Sequence, residues 1–553
     1  MVLKSKNSFI AVAVIVSLFF SAGLNFYNIK NKGIFYYDEG YYLLTAQFYR
    51  SIAINSPHIL RELKAQKALQ DIYDEYVEGT FLSTPKPLHG IIVAFFGLWG
   101  GIKDYTGALA SGFLGVLSVL LVFFIGRRFF NAETGVFAAA ILATSKYFVL
   151  YCRSGLAEIT PTFFFLAALY VYSLSFNGEK KNRLLAASGV LLGLAVACNY
   201  RWLLLMPLFV LFELFRAVFN RRHGQTPEEK SLARLIVRQV ALVVKRSALI
   251  FIPLFLILFV FQIPYWIIEI FRPLPPEVMS YFNMFFGKYQ RQAAAMASTF
   301  HPQTRFFEFI WLLFNPMVFV LLFIGLFFSI KKLDLNKFIV CAIFLLPFGL
   351  FSLLQRGDNP RALSSVLPFI ALLAALGAEG SIRFVAAKLK KYSFPSAALS
   401  AVFLAAIWVA GIINTYPLLK LQSGYKEAIE FLKSAPGGSK HFSSMWPISA
   451  FYLGRANSYY PFPSDFRELE TSRKEGINYM LVHFEDHNYL SDFTAKIIKI
   501  TEPVKQIENG DMLDYILFAE DNHSDKDRLK KMLKNANNQN IQIFETGSLS
   551  KRR

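Results

Sequence analysis

Long apolar runs separated by short polar loops dominate the first 415 residues of this 553-residue chain. A transmembrane helix needs about 20 consecutive apolar residues, and the chain as a whole is 54% hydrophobic but only 17% charged. Because ordinary soluble domains are about one quarter charged, this pattern excludes a soluble enzyme. It predicts a mainly α fold, a polytopic transmembrane helical bundle of about 11 spans. The predicted spans are residues 8–28, 105–126, 135–152, 159–176, 184–200, 202–218, 248–268, 309–329, 338–354, 362–379 and 396–415.

The excess positive charge lies in the apolar part of the chain. Residues 1–415 contain 39 Lys and Arg against 20 Asp and Glu, whereas residues 416–553 contain 19 against 18. Nucleic-acid binding is one interpretation of the net charge of +20, but the positive-inside bias of membrane proteins explains it better, and we predict no nucleic-acid partner. If the short apolar segment 88–101 does not cross the membrane, every strong basic cluster falls on the side of the N-terminus. We therefore expect the N-terminus inside and the C-terminus outside, in the plasma (inner) membrane of a prokaryote, since no retrieval signal is present.

The chain divides into three predicted parts. Residues 1–415 form the transmembrane domain, with a first outer loop at 30–104 that carries interfacial helices. Residues 416–520 are predicted to form an extracytoplasmic α/β domain, because β-branched and aromatic runs alternate there with helical patterns. Residues 521–553 are polar and charged, which is typical of a tail. The predicted strands of the α/β domain are 477–484 and 512–519, and its predicted helices are 425–433 and 489–499.

Two adjacent acids, Asp38 and Glu39, open the first outer loop within the segment 37–42 (YDEGYY). An N-cap is the simple interpretation of Asp38, but an N-cap needs one acceptor and this segment places two carboxylates at the membrane boundary. Aromatic and apolar residues follow at the spacing of one helical face, so we predict a helix that lies along the membrane surface on its aromatic side. The residues of that face are Tyr37, Tyr41, Leu44 and Phe48.

A second outer acid, Glu158, lies in the turn between two predicted spans, shortly after Arg153. Charged groups at membrane depth are costly and usually line a cavity. The alternative is an exposed turn residue that caps the helix beginning near Thr160.

Several cations also fall on the outer side, where the charge bias predicts few of them. Each alone is most often an interfacial residue with a buried stem. Together with the outer acids they suit a phosphate-bearing lipid, because Lys and Arg neutralise phosphate while carboxylates handle a proton or a metal. These outer basic residues include Lys86, Arg201, Arg291, His301 and Arg361.

The order of these elements resembles the GT-C class of membrane glycosyltransferases. The likeness is to the branch that contains the protein O-mannosyltransferases (dolichyl-phosphate-mannose-protein mannosyltransferases) and the lipid A aminoarabinose transferases. The segment 37–42 precedes Lys86-Pro87-Leu88, then Arg153 and Glu158, where the family usually has Asp, and finally Leu367-Pro368. The resemblance implies a GT-C-like fold over residues 8–415 and transfer of a sugar from a polyprenyl-phosphate donor to an acceptor hydroxyl on the outer face.

The resemblance also implies roles for single residues. Asp38 matches the family's catalytic acid, which would be the general base on the acceptor hydroxyl, and Glu39 and Glu158 match further acids. Lys86 and Arg291 match residues near the donor phosphate, and we add Arg361 to them. The expected surroundings of this site are Tyr41, Tyr42, His89, Arg153, Arg201 and His301.

The predicted partners are a polyprenyl-phosphate-linked sugar, membrane lipid and a protein, glycolipid or glycan acceptor. The sequence contains neither a phosphate-binding loop nor a zinc-binding helix motif, and no cofactor is required, although a divalent cation at the acids stays open. Three alternatives remain: a diphosphate-linked oligosaccharide ligase or polymerase, a non-catalytic transporter of lipid-linked sugars, and a scaffold. Substitution of Asp38 separates a transferase from a transporter, because only an enzyme needs a catalytic base.

Overall fold

The structure is a computed structural model that describes residues 2–67, 71, 86–176, 180–223, 232–271, 315–354, 360–389, 396–483, 490–507 and 541–550. Helices make up the described chain as far as Thr415, and a small α/β unit follows, which confirms the predicted fold class. The helices of the first part are α1 (Val2–Phe26), α2 (Tyr37–Lys64), α3 (Pro87–Phe96), α4 (Thr106–Phe129), α5 (Ala132–Ala143), α6 (Lys146–Arg153), α7 (Ile159–Leu174), α8 (Lys181–Cys198), α9 (Pro207–His223), α10 (Leu232–Phe271), α11 (Pro316–Lys331), α12 (Leu335–Leu354), α13 (Leu367–Leu389) and α14 (Ser396–Thr415).

Six of the described helices, α1, α4, α8, α10, α13 and α14, are long and apolar enough to cross a membrane. Helices α5 and α6 pass the same test as a pair and bend by 59° at their break, which gives a seventh candidate. The shorter apolar helices are α3, α7, α11 and α12. The described residues therefore confirm a polytopic bundle, whereas the count of 11 spans and their sidedness stay predictions.

Glycines bring helices of the bundle into backbone contact. A Cβ at Gly325 of α11 would overlap the carbonyl oxygen of Leu373 in α13, and a Cβ at Gly377 would overlap that of Leu321. In an apolar environment helices associate through such close packing of small residues. Helix α13 is thereby held against α11, and the 3₁₀ turn Pro360–Val366 leads directly into it.

Helix α3 is the short apolar segment whose crossing was in question. At 1.5 Å per residue, its ten residues span about 15 Å, half the hydrocarbon thickness of a bilayer. Its N-terminus is set by Pro87, which is tolerated in a first helical turn because the missing N–H has no partner there in any case. The length agrees with the prediction that segment 88–101 does not cross.

Helix α2 begins where the sequence predicts it, but its aromatic side does not face a membrane surface. Leu44 and Phe48 are each 2% exposed in the protein interior. The Tyr41 ring packs edge-on against Trp446 of the C-terminal domain, with ring centroids 5.3 Å apart. The expectation of an interfacial face was therefore wrong, because Trp446, which covers this side, follows Tyr41 by more than 400 residues in the chain and leaves no trace in the local spacing.

The C-terminal domain is built on a five-stranded sheet. Its strands are β1 (His441–Ser443), β2 (Ser458–Tyr459), β3 (Tyr479–His483), β4 (Lys505–Ile507) and β5 (Ile541–Glu545). The strand order is β2-β1-β3-β5-β4. β1 pairs in parallel with β2 and β3, and β5 runs antiparallel to β3 and β4. The helices are α15 (Tyr425–Ser434), α16 (Trp446–Leu453), α17 (Phe466–Lys474), α18 (Asp492–Ile500) and α19 (Thr546–Ser550).

The sheet corrects the predicted domain boundary at residue 520. Strand β5 lies within the predicted tail 521–553, yet it occupies an interior position of the sheet, where Met480 of β3 is opposite Phe544. The run is only five residues long and follows a polar stretch, so its local pattern gives no signal until β3 provides a partner. The predicted strand 477–484 and the helices at 425–433 and 489–499 are confirmed within a few residues, whereas the predicted strand 512–519 lies outside the described residues.

Helix α16 attaches this domain to α2 beside the first outer acid. A Cβ at Gly40 would lie 2.7 Å from the backbone nitrogen of Ile448 and 2.7 Å from the carbonyl carbon of Pro447. Real Cβ atoms do not approach so closely, so only glycine permits this contact. The N-terminal ends of α2 and α16 therefore meet backbone to backbone.

Candidate active site

Five charged residues from separate segments converge at one end of the bundle. Asp38 lies in the first turn of α2, Lys86 directly precedes α3, and Glu158 directly precedes α7. Arg201 and Arg361 lie on the 3₁₀ turns Tyr200–Leu205 and Pro360–Val366. Each of these residues stands at a helix start or in a short turn, where a side chain can reach inward without interrupting a helix. The sequence predicted all five individually, and the structure brings them together.

Arg361 joins the two acids Asp38 and Glu158. Its Nη2 lies 2.9 Å from Asp38 Oδ2, and its Nε lies 3.1 Å from Glu158 Oε1. The side chains of Arg361 and Glu158 are each 2% exposed, whereas Asp38 is 27% exposed. Asp38 is thus the acid of this triad that solvent or a substrate can reach.

The surrounding cations keep Asp38 ionised. Burial by itself raises the pKa of this carboxyl, but the positive charges of Arg361, Lys86 and Arg201 and the hydrogen bond from Arg361 outweigh it and lower the pKa to about 2. An opposite charge within a few ångströms favours the charged form in this way. Asp38 is therefore a carboxylate at neutral pH.

The turn that carries Glu158 is held by His89 of α3. His89 Nε2 lies 2.9 Å from the carbonyl oxygen of Gly155, and Nδ1 lies 2.7 Å from Thr160 Oγ1. Because a carbonyl oxygen only accepts, Nε2 carries the proton and Nδ1 accepts from the threonine hydroxyl. Burial lowers the pKa of His89 to about 4, so the ring is neutral and links the residues on either side of Glu158.

Other contacts fix the same turn. Asn199 Nδ2 donates to the carbonyl oxygen of Ala157 at 3.2 Å, and Thr162 Oγ1 donates to the carbonyl oxygen of Glu158 at 2.7 Å. Glu158 stands at the N-cap position of α7, but its side chain makes no capping hydrogen bond. Its carboxylate binds Arg361 instead, so the capping interpretation is wrong.

Lys86 is buried beside Tyr42. Its Nζ donates to Tyr42 Oη and lies 4.9 Å from the centre of the phenol ring. Burial lowers the pKa of Lys86, and the nearby Asp38 carboxylate opposes that shift. Burial and Asp38 both raise the pKa of Tyr42 well above its usual value, so the phenol stays protonated.

Glu39 faces a different partner from Asp38. Its Oε2 lies 3.1 Å from Lys32 Nζ, and both side chains are 1% exposed. The Lys32 ammonium also donates to the carbonyl oxygen of Gly33 at 2.8 Å, and the Lys32 carbonyl oxygen accepts from the backbone of Ser423. This ion pair ties the start of α2 to the segment that leads into the C-terminal domain. Lys32 carries no distinguishing signal in the sequence, because a lysine in a polar loop is ordinarily solvated.

The remaining predicted residues have varied positions. Arg153 Nη1 donates to the carbonyl oxygens of Leu24 and Tyr27 at the C-terminal end of α1, at 3.0 and 2.7 Å, so it braces the bundle. Arg291 and His301 lie outside the described residues.

Arg201 and Arg361 line a single pocket with the buried Ser364 and Ser365 and with Asn199. Guanidinium and hydroxyl groups are suitable donors to phosphate oxygens. Sequence reasoning missed the two serines, since serine next to an apolar run is common and carries no specific signal.

The residues described here contain no group of three His, Cys, Asp or Glu side chains that could hold a metal ion. The carboxylates of Asp38 and Glu158, which are the natural ligands for a divalent cation, share the guanidinium of Arg361 instead. We derive no step through a metal.

Known proteins resemble this chain in sequence over one segment and in fold over most of its length. The model of the dolichyl-phosphate-mannose-protein mannosyltransferase family matches residues 84–244. No curated protein matches the sequence. The oligosaccharyltransferase AglB from Archaeoglobus fulgidus, in complex with an inhibitory peptide and a dolichol-phosphate, superposes with a TM-score of 0.53 at 14% identity, over 87% of this chain and 70% of AglB.

ArnT from Cupriavidus metallidurans gives a similar result. Its apo structure has a TM-score of 0.52 at 14% identity and covers 91% of this chain and 97% of ArnT. Its complex with undecaprenyl phosphate has a TM-score of 0.50 at 14% identity, over 86% and 89% of the two chains. The predicted resemblance is therefore confirmed at the level of the fold: this chain has the GT-C fold of membrane glycosyltransferases.

Proposed function

We propose that the protein is a glycosyltransferase that moves a sugar from a polyprenyl-phosphate donor to an acceptor hydroxyl on the outer face of a prokaryotic plasma membrane. The observation that carries this proposal is the convergence of Asp38, Glu158, Lys86, Arg201 and Arg361 at one end of a GT-C bundle. Solved structures of that fold hold dolichol-phosphate in AglB and undecaprenyl phosphate in ArnT. The charge bias of the sequence supports the outer orientation.

In the proposed reaction Asp38 is the general base. The acceptor hydroxyl loses its proton to the Asp38 carboxylate while its oxygen forms a bond to the anomeric carbon. The bond from that carbon to the phosphate oxygen breaks, and the electron pair leaves with polyprenyl phosphate. Asp38 suits this role because it is ionised and is the exposed acid of the triad. A positioned base of this kind contributes about 10²–10⁴ in rate.

The cations act on the leaving group. Negative charge grows on the phosphate oxygen as the glycosidic bond breaks, and preorganised donors stabilise charge that develops in the transition state. Arg201 and Arg361 line the pocket that also contains Ser364 and Ser365, and Lys86 lies close enough to Asp38 to influence its pKa. Removal of one such donor typically costs about 10²–10³ in rate. Glu158 is buried and serves to orient Arg361.

The test is a transfer assay in nanodiscs with radiolabelled polyprenyl-phosphate sugars, comparing wild type with Asp38→Asn. We expect wild type to release free polyprenyl phosphate and Asp38→Asn to be slower by about 10²–10⁴. A matched control is Asp104→Asn, which removes an acid that is bonded to Tyr452 Oη and should leave the rate unchanged.

Three results would contradict the proposal. Equal rates for wild type and Asp38→Asn would exclude Asp38 as the general base. Transport of an intact lipid-linked sugar across a vesicle membrane, with no release of polyprenyl phosphate, would make the protein a transporter. Release only from diphosphate-linked donors would instead identify an oligosaccharide ligase or polymerase.

A further inference from the structure

The guanidinium of Arg361 has two competing sets of partners. On one side it binds Asp38 and Glu158 at 2.9 and 3.1 Å. On the other side Arg361 lines the pocket that also contains Arg201, Ser364 and Ser365. The Arg361 side chain is 2% exposed, so a phosphate in the pocket must share a guanidinium that two carboxylates already bind.

The phosphate diester of the donor can compete for such a guanidinium. It carries one negative charge, as a carboxylate does, and its two non-bridging oxygens can accept two parallel hydrogen bonds from one arginine. The other walls of the pocket carry the donor groups of Arg201 and the two serines. Of the two acids, Asp38 is the one that can release Arg361. Asp38 is 27% exposed and can exchange Arg361 for water, whereas Glu158 is 2% exposed and cannot.

We propose that binding of the donor phosphate draws Arg361 away from Asp38, so that the base becomes available only when the donor is in place. This inference rests on the proposed function and adds an order to it, donor before acceptor. In the free protein the Asp38 carboxylate is neutralised by Arg361 and binds a proton poorly. In the donor complex the same carboxylate loses its strongest counter-charge and gains affinity for the acceptor's proton.

The consequence is that the catalytic acid opposes donor binding. If Asp38 and the phosphate compete for Arg361, neutralising Asp38 must strengthen phosphate binding even though it abolishes turnover. Asp38→Asn leaves Arg361 paired with Glu158, so the variant retains a buried ion pair and should fold.

The experiment measures binding of radiolabelled undecaprenyl phosphate to the full chain in nanodiscs. We expect Asp38→Asn to bind about tenfold more tightly than wild type. Asp104→Asn changes the net charge by the same amount without contacting Arg361, and its affinity should equal that of wild type. Thermal unfolding of each variant confirms that it is folded.

The same comparison in an Arg361→Gln background assigns the effect to the shared guanidinium. There Asp38→Asn should no longer tighten binding. The exchange of Arg361 between Asp38 and phosphate would be overturned by an unchanged or weaker affinity of Asp38→Asn. It would also be overturned if Asp38→Asn increased the affinity equally when Arg361 is absent. Neither result would contradict the proposed transfer activity. Failure of wild type to bind undecaprenyl phosphate, by contrast, would overturn the proposed use of that carrier itself.

Discussion

At the scale of single residues, His89 positions the turn of Glu158 without taking part in the proposed reaction. Its neutral ring links Gly155 and Thr160 across the turn that presents Glu158. We expect His89→Ala to lower kcat by about 10- to 100-fold, with a smaller change in the donor KM, because a displaced Glu158 would misplace Arg361 and small misplacements in an active site have effects of this size. Steady-state kinetics at pH 7.5 would measure the split between kcat and KM.

His89→Gln and Thr160→Val serve as controls for this prediction. A glutamine amide can replace Nε2 as the donor to Gly155, so His89→Gln should retain most of the activity. Thr160→Val removes only the hydroxyl and should have an intermediate effect. A loss beyond 10³-fold in His89→Ala with normal thermal stability would instead indicate that the imidazole transfers a proton itself, as a general acid or base does.

At the scale of elements, the contact between α2 and α16 depends on a glycine. A side chain at Gly40 would strike the backbone of Pro447 and Ile448, so Gly40→Ala should force the two helices apart beside Asp38. Overpacking of this kind costs about 1–3 kcal/mol. We expect a lower unfolding temperature and a lower transfer rate, both measured in nanodiscs.

Gly23→Ala in α1 is the matched control for this prediction. Nothing lies within 4 Å of a Cβ at Gly23, and alanine favours a helix. Equal unfolding temperatures for the two variants would contradict the contact.

The same scale shows why parts of the fold were beyond sequence reasoning. Helical spans and the start of α2 follow from local periodicity, which is a property of neighbouring residues. Strand β5 does not, since its pairing partner β3 lies about 60 residues earlier. The candidate site likewise has a part that the sequence predicts and a part that it does not. Residue chemistry identified Asp38, Glu158 and Arg361 one by one. Their shared ion pair joins positions 203 and 323 residues apart, so no spacing rule could reveal it. Lys32, Asn199 and Trp446 were missed for the same reason.

At the scale of the whole molecule, three buried histidines make stability depend on pH. Burial lowers the pKa of His89, His441 and His483 to about 4 each, against about 6.5 in an unfolded chain. Above pH 6.5 both states are neutral and these groups have no effect. Below it the unfolded chain takes up protons that the folded chain refuses, so stability falls between pH 6.5 and 4. Asp38, with a lowered pKa, has its effect only below about pH 4.

The magnitude can be checked with one substitution in the C-terminal domain. From pH 7.5 to 5.5 each histidine should remove about 1 kcal/mol from the free energy of unfolding. His441 Nδ1 donates to the carbonyl oxygen of Ser439 at 3.2 Å, and an asparagine amide can make the same bond without titrating. His441→Asn should therefore retain stability at pH 7.5 and lose about 1 kcal/mol less than wild type on acidification. Thermal unfolding at both pH values measures this difference. An identical loss in both proteins would mean that His441 is already protonated in the fold, or that the acid-sensitive groups lie elsewhere, and either result would contradict the assignment of this histidine.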